Sequence, residues 1–296
     1  MLVRGQRELG AAAIALLSLG LPGCGGGAAL LHPAHALAQG KVSAGAGLSH
    51  AFVLGPAGGT SEPGPGAPGP AGTVESRFVE DAVARAAMPR GLAPWVGARA
   101  GLGATSDAGL TYTGRAARVD ARHAFEDGSV AISVGLGGSA LLFHPRQGPP
   151  DAGGAPSTAG RFAGHSGALA TTGFGADLPV LVGWRSAASI VEVWAGARAG
   201  AERLHGELNL ASPGTATGAP EVEQRATVSA THWYAGGLVG FGVGLSPIWV
   251  RLELSVGWAA LSGSAEVPSS AGAPSRVSTS LTGLQVAPAA AVLGKF

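Results

Sequence analysis

The chain has 296 residues, 12% of them charged, with a formal net charge of +1. That share is about half the usual one, and the near-neutral balance excludes partners held by bulk charge, nucleic acid above all. A single cysteine excludes an intrachain disulfide, and beyond the N-terminus no apolar run reaches the roughly 20 residues of a membrane-spanning helix.

Residues 1–38 carry Arg4 and Arg7, then the apolar run AAAIALLSLGL, then Ala36-Leu37-Ala38 before Gln39. This order of positive, apolar and small-x-small segments is that of a secretory signal peptide. The sequence favours cleavage after Ala38 over the lipobox-like Leu21-Pro22-Gly23-Cys24, in which the cysteine would be lipidated. Residues 39–93 form an N-terminal periplasmic segment: KVSAGAGLSHAFVL has the pattern of a short strand, and VESRFVEDAVARAAM that of a short helix. Between them GPAGGTSEPGPGAPGPAGT has the composition of a flexible spacer.

From residue 94 to 296 apolar alternation recurs in eight segments, approximately 94–103, 108–125, 129–143, 164–183, 188–205, 226–244, 248–261 and 277–296. Period-two alternation separates one apolar face from one polar face along a strand. Tight connections at Glu126–Gly128, Arg185–Ala187 and Leu245–Pro247 alternate with long ones: HPRQGPPDAGGAPSTAG, GELNLASPGTATGAPEVEQR and SGSAEVPSSAGAPSR. Short turns at one end and long loops at the other are the layout of an antiparallel up-and-down transmembrane β-barrel. Gly103–Ser106 departs from it, being short on the side that should carry long loops. The expectation is an all-β barrel of eight strands. Ten are admissible if Lys41–Leu54 joins and another strand lies within 74–93. Segment 108–125 has a phase error, which a bulge near Gly114 would repair.

The polar faces carry Arg99, Arg118, Arg122, Arg198 and Arg251 against Asp120, Asp177, Glu192, Glu202 and Glu253. Five charges against five is what a closed interior requires, because each buried charge needs a partner. These ten, with His232, Tyr234 and Gln285, are the expected polar cluster of the lumen. The Gly and Ser of 129–143 would leave room for the long arginines.

The terminal segment LQVAPAAAVLGKF sets Leu284, Val286, Ala290, Val292 and Phe296 on one face, with Pro288 suggesting a local bulge. It resembles the last strand of bacterial outer-membrane proteins, whose final Phe is read by the barrel-assembly machinery. In architecture residues 94–296 resemble the small eight-stranded outer-membrane barrels. The resemblance implies a Gram-negative cell envelope, with outer-membrane lipid, lipopolysaccharide and the assembly machinery as partners. An eight-stranded interior is filled by side chains.

The expected function is therefore non-enzymatic: a plugged barrel that is structural or interacts through its long loops. The alternatives are a narrow channel for a solute or hydrophobic ligand, a lipid A-modifying enzyme, and a secreted soluble barrel with inverted faces. Neither His165-Ser166 nor Ser229 with His232 has the parity of a catalytic pair, and the histidines lack metal-ligand spacing. No cofactor is expected.

Overall fold

A computed structural model describes residues 29–55, 83–84, 87–88, 90–142, 166–212, 222–269 and 272–296. The leader residues 1–28, most of the spacer, the loop after Leu142 and His165 lie outside the described residues. The strands are β1 (Val42–Leu54), β2 (Gly91–Gly101), β3 (Ser106–Tyr112), β4 (Ala116–Asp127), β5 (Val130–Leu141), β6 (Ser166–Arg185), β7 (Val191–Ser212), β8 (Val222–Leu245), β9 (Ile248–Ser269) and β10 (Gly272–Lys295). Each pairs antiparallel with its neighbours, and β1 pairs with both β2 and β10 to close the barrel. Val42 and Phe296 extend that seam by exchanging backbone hydrogen bonds of 3.1 and 2.8 Å.

The barrel thus has ten strands, and two features of the sequence explain the count. β1 belongs to the barrel and not to a separate N-terminal segment. The second extra strand is not within 74–93. It arises because segment 108–125 folds back on itself between Tyr112 and Ala116, with Gly114 at a φ of 88°. A reversal, not a bulge, accounts for the phase error, since β3 and β4 run in opposite directions with independent phases. With ten strands the connection after Gly101 falls at the end where β1 begins and β10 ends, so every connection at that end is tight. Pro288 produces no bulge: its register with β9 is continuous, and pairing with β1 lapses between Ser49 and Phe52 without a shift.

Strands β6–β10 have 20–24 residues, against 7–13 in β1–β5. At a strand rise of about 3.3 Å and a tilt near 45°, the long strands reach roughly 50 Å, about twice the apolar band of an outer-membrane barrel. Much of GELNLASPGTATGAPEVEQR and SGSAEVPSSAGAPSR is therefore strand and not loop.

The outward face changes character at one level. On β8 it carries Trp233, Val239, Phe241, Val243 and Leu245 below that level, and Arg225, Thr227, Ser229 and Thr231 above it. On β9, Ile248, Val250, Leu252, Leu254, Val256 and Trp258 give way beyond Ala260 to Ser262, Ser264 and Glu266. The registers Ala201–Trp233 and Trp233–Ala260 align the change between strands. The inner face changes the opposite way: charged below, and above it Leu204, Leu208, Val228, Ala230, Leu261 and Ala265 buried as one cluster. Val83, Ala84, Ala87 and Met88, from the connection between β1 and β2, pack into that cluster from within. The lower half is apolar outside and polar inside, as lipid requires; the upper half is apolar inside, as water requires.

The lipid-facing assignment predicts that Leu252→Arg costs about 2–4 kcal/mol, the range for arginine at bilayer mid-depth. Ser262→Arg, on the same face of β9 above the change, should cost nothing measurable. Urea titration of the barrel reconstituted in lipid vesicles would distinguish them, and equal losses would contradict the placement.

Candidate functional site

Ten tilted strands enclose a lumen somewhat wider than the eight-stranded interior that side chains alone fill. Glycines on the inner face make the space: a Cβ at Gly137 would run into the guanidinium of Arg118, and one at Gly240 into the indole of Trp194. Into this space the strands direct an unbroken chain of alternating charges. Arg198 pairs with Asp177 at 2.9 Å, Asp177 with Arg118 at 2.8 Å, and Arg118 with Asp120 at 2.9 Å. Asp120 then pairs with Arg99 at 2.7 Å, Arg99 with Asp107 at 2.6 Å, and Asp107 with Arg122 at 2.8 Å. Both Arg118 on Asp177 and Arg122 on Asp107 are bidentate, the geometry in which an arginine fork matches a carboxylate.

Two smaller groups flank the chain. Above it Glu202 accepts from Arg115 at 2.8 Å and faces Nδ1 of His232 at 3.5 Å, while Tyr234 lies 5.4 Å under the Arg198 guanidinium. Below it Glu192, fully buried, meets Lys295 at 2.8 Å and Arg251 and Arg185 at 3.2 Å each. The Lys295 ammonium also stands 3.6 Å over the Trp249 ring. Gln285 is half-buried on the inner face of β10. All the expected lumen residues except Gln285 thus enter charged or aromatic contacts with one another or with the segment described next.

That segment is residues 29–38, which lie in the lumen with Ala36 and Leu37 towards the end where β1 begins and Leu30 and Leu31 deeper inside. Glu253 receives the amides of Leu30 and Leu31, both at 2.8 Å, and the Trp194 indole N–H at 3.3 Å. Arg122 donates to the carbonyls of Pro33 and His35, and Arg251 to that of Leu31. The amides of Ala36 and Leu37 donate to Glu126 and Asp107, each at 2.9 Å. Leu31 holds a φ of 53°, and its amide and that of Leu30 converge on the same carboxylate.

Sequence reasoning missed Asp107, Arg115 and the buried Trp95 and Trp194. Asp107 shares its inward phase with Thr111 on β3, so the hairpin at Gly114 was the signal that would have found it. The serine and histidine within hydrogen-bond reach on the outer wall are Ser106 and His123, 2.9 Å apart, and no carboxylate among the described residues completes a triad with them. Among the described residues no group of side chains could hold a metal ion.

A closed, even-stranded antiparallel barrel with an apolar outer belt and a charge-paired interior is a transmembrane barrel of the outer-membrane class. No family model and no curated protein matches the chain. Among solved structures it is similar to Neisserial surface protein A, at 13% identity and a TM-score of 0.28, over 87% of this chain and 100% of that one. A major outer membrane protein from Thermus thermophilus matches at 12% identity and a TM-score of 0.31, over 86% and 99%. The Ralstonia pickettii toluene transporter TbuX matches at 11% and 0.31, over 88% and 90%. Likenesses this remote add nothing to what the barrel itself shows.

The charge chain predicts that Asp177→Asn, which leaves Arg118 and Arg198 facing one another, costs about 3–5 kcal/mol, as expected on removing one member of a buried pair. Arg225→Ala, in an exposed pair with Glu207 at 3.8 Å, should have no effect. The temperature at which the compact band is lost on a heat-modifiability gel reads both. Equal behaviour of the two variants would mean that the lumen network is not desolvated.

Proposed function

We propose that the protein is a non-enzymatic outer-membrane barrel with a closed lumen, acting at the cell surface through its extramembrane half and long connections. The observation that carries this reading is the alternating chain from Arg198 to Arg122, which leaves the lower lumen filled with paired charge. Tight turns at the end where β1 begins and β10 ends support a periplasmic position for that end and an exterior one for the tall strands. Arg203, Arg225 and Arg276, on the outward face above the apolar belt, support contact with the phosphates of lipopolysaccharide. Export by the N-terminal leader and assembly through the last strand belong to the same proposal.

A second reading, a narrow channel or receptor for a small hydrophobic ligand, is favoured by one observation. Leu204, Leu208, Val228 and Leu261 form an apolar inner wall around Val83, Ala84, Ala87 and Met88. Planar-bilayer recording separates the readings. The full chain should leave the membrane at baseline current, whereas a stable ohmic step would overturn the closed lumen. Saturable uptake of toluene by the purified barrel, followed by NMR, would favour the second reading.

The seam predicts a further result. Deleting Phe296 removes its two backbone bonds to Val42 and the residue expected to be read during assembly. The heat-modifiable fraction in outer membranes should fall several-fold. An unchanged fraction would exclude both roles.

A further inference from the structure

The sequence pattern that suggests cleavage after Ala38 would remove the segment that fills the lower lumen. The wall binds that segment through its main chain: Glu253 and Glu126 receive amides of Leu30, Leu31 and Ala36, while Arg122 and Arg251 donate to carbonyls of Pro33, His35 and Leu31. Glu253 is 4% exposed, and its hydrogen bonds come from the Leu30 and Leu31 amides and Trp194. Of these three donors only the Trp194 indole N–H belongs to the wall, and the segment supplies the other two. The segment's own side chains also have places: Leu31 packs with Trp95, Trp249 and Leu293, and Leu30 and Ala34 with Leu181, Trp194 and Leu238. Backbone recognition and apolar seating are two independent marks of a built site.

We infer that the lower lumen is a binding site for residues 29–38 of this chain, which stay with the mature protein as a plug. The inference rests on the closed-lumen reading above and names what closes it. It requires processing to occur N-terminal to Ala29. The sequence allows this: Gly26-Gly27-Ala28 is also a small-x-small triplet, and hydrolysis of the Ala28–Ala29 peptide bond, taking up one water, releases a leader of 28 residues. Secretory leaders run about 15–30 residues, a range that holds this length and not 38.

The test uses the full chain exported in a Gram-negative host and purified as the heat-modifiable barrel. Terminal sequencing should read a start at or before Ala29; a start at Gln39 would overturn the proposal. Hydrogen exchange then asks whether the retained segment is seated. The amides of Leu30, Leu31, Ala36 and Leu37 should exchange roughly 100-fold or more slowly than in an unstructured peptide. Exchange at the unstructured rate would overturn the proposal even with the residues present. Glu253→Gln should speed exchange at Leu30 and Leu31 more than at Leu37, and a uniform change would speak against local anchoring. Bilayer current from the same preparation is a separate result: conduction with protected plug amides would sink the closed-lumen reading and leave this one standing.

Discussion

Everything in the lower half of the barrel follows from one constraint: charges directed into a space walled off from water must neutralise one another. Arginine and aspartate meet that constraint best when they alternate, because each carboxylate has two oxygens and each guanidinium has donors on more than one edge. The order from Arg198 through Asp177, Arg118, Asp120, Arg99 and Asp107 to Arg122 draws its members from β2, β3, β4, β6 and β7. It therefore ties neighbouring strands across the lumen as well as along the wall. Buried pairs of this kind add little net stability over apolar packing, yet a wrong register would leave charges without partners. Their contribution is to make one arrangement of ten strands acceptable.

That constraint also separates what was legible in the sequence from what was not. Periodicity needs only local information, so the two faces of β5 and β9, and the sharing of one face by Arg251 and Glu253, could be read from neighbouring residues. The choice of interior needed properties of the whole chain: the equal tally of opposite charges, the alternation of tight turns with long loops, and the terminal Phe296. Eight strands were favoured over the ten also admitted because β3 and its turn are short and the alternation continues on both sides of Gly114. Asp107 was lost with them. The upper ends of β7–β10, within 206–225 and 262–276, were read as loops for a different reason: Gly206, Ser212, Ser262, Gly263, Ser264, Pro268 and Ser269 give them a composition shared with true loops. The burial of residues 29–38 has no local signal, since an export leader and a lumen plug are both short, apolar and rich in small residues.

Two chain segments enter the barrel from opposite ends and meet different walls. The lower one is held mainly by hydrogen bonds to its backbone, the upper one by apolar packing of Val83, Ala84, Ala87 and Met88. The difference tracks the wall behind each. A charged wall has donors and acceptors to satisfy, and an unstructured backbone supplies both; an apolar wall has only area to cover.

The exchange of faces near Thr231 and Trp233 has a mechanical consequence. A barrel whose outward face were uniformly apolar could slide along the membrane normal at little cost. Here a downward slip of one pleat repeat would carry Arg203 and Thr231 into hydrocarbon, and an upward slip would lift Trp233 and Trp258 into water. Both displacements meet an opposing force within about 5 Å, the height of two strand residues at the usual tilt. The wall is a depth gauge, holding the barrel at one immersion whatever the tall strands encounter outside.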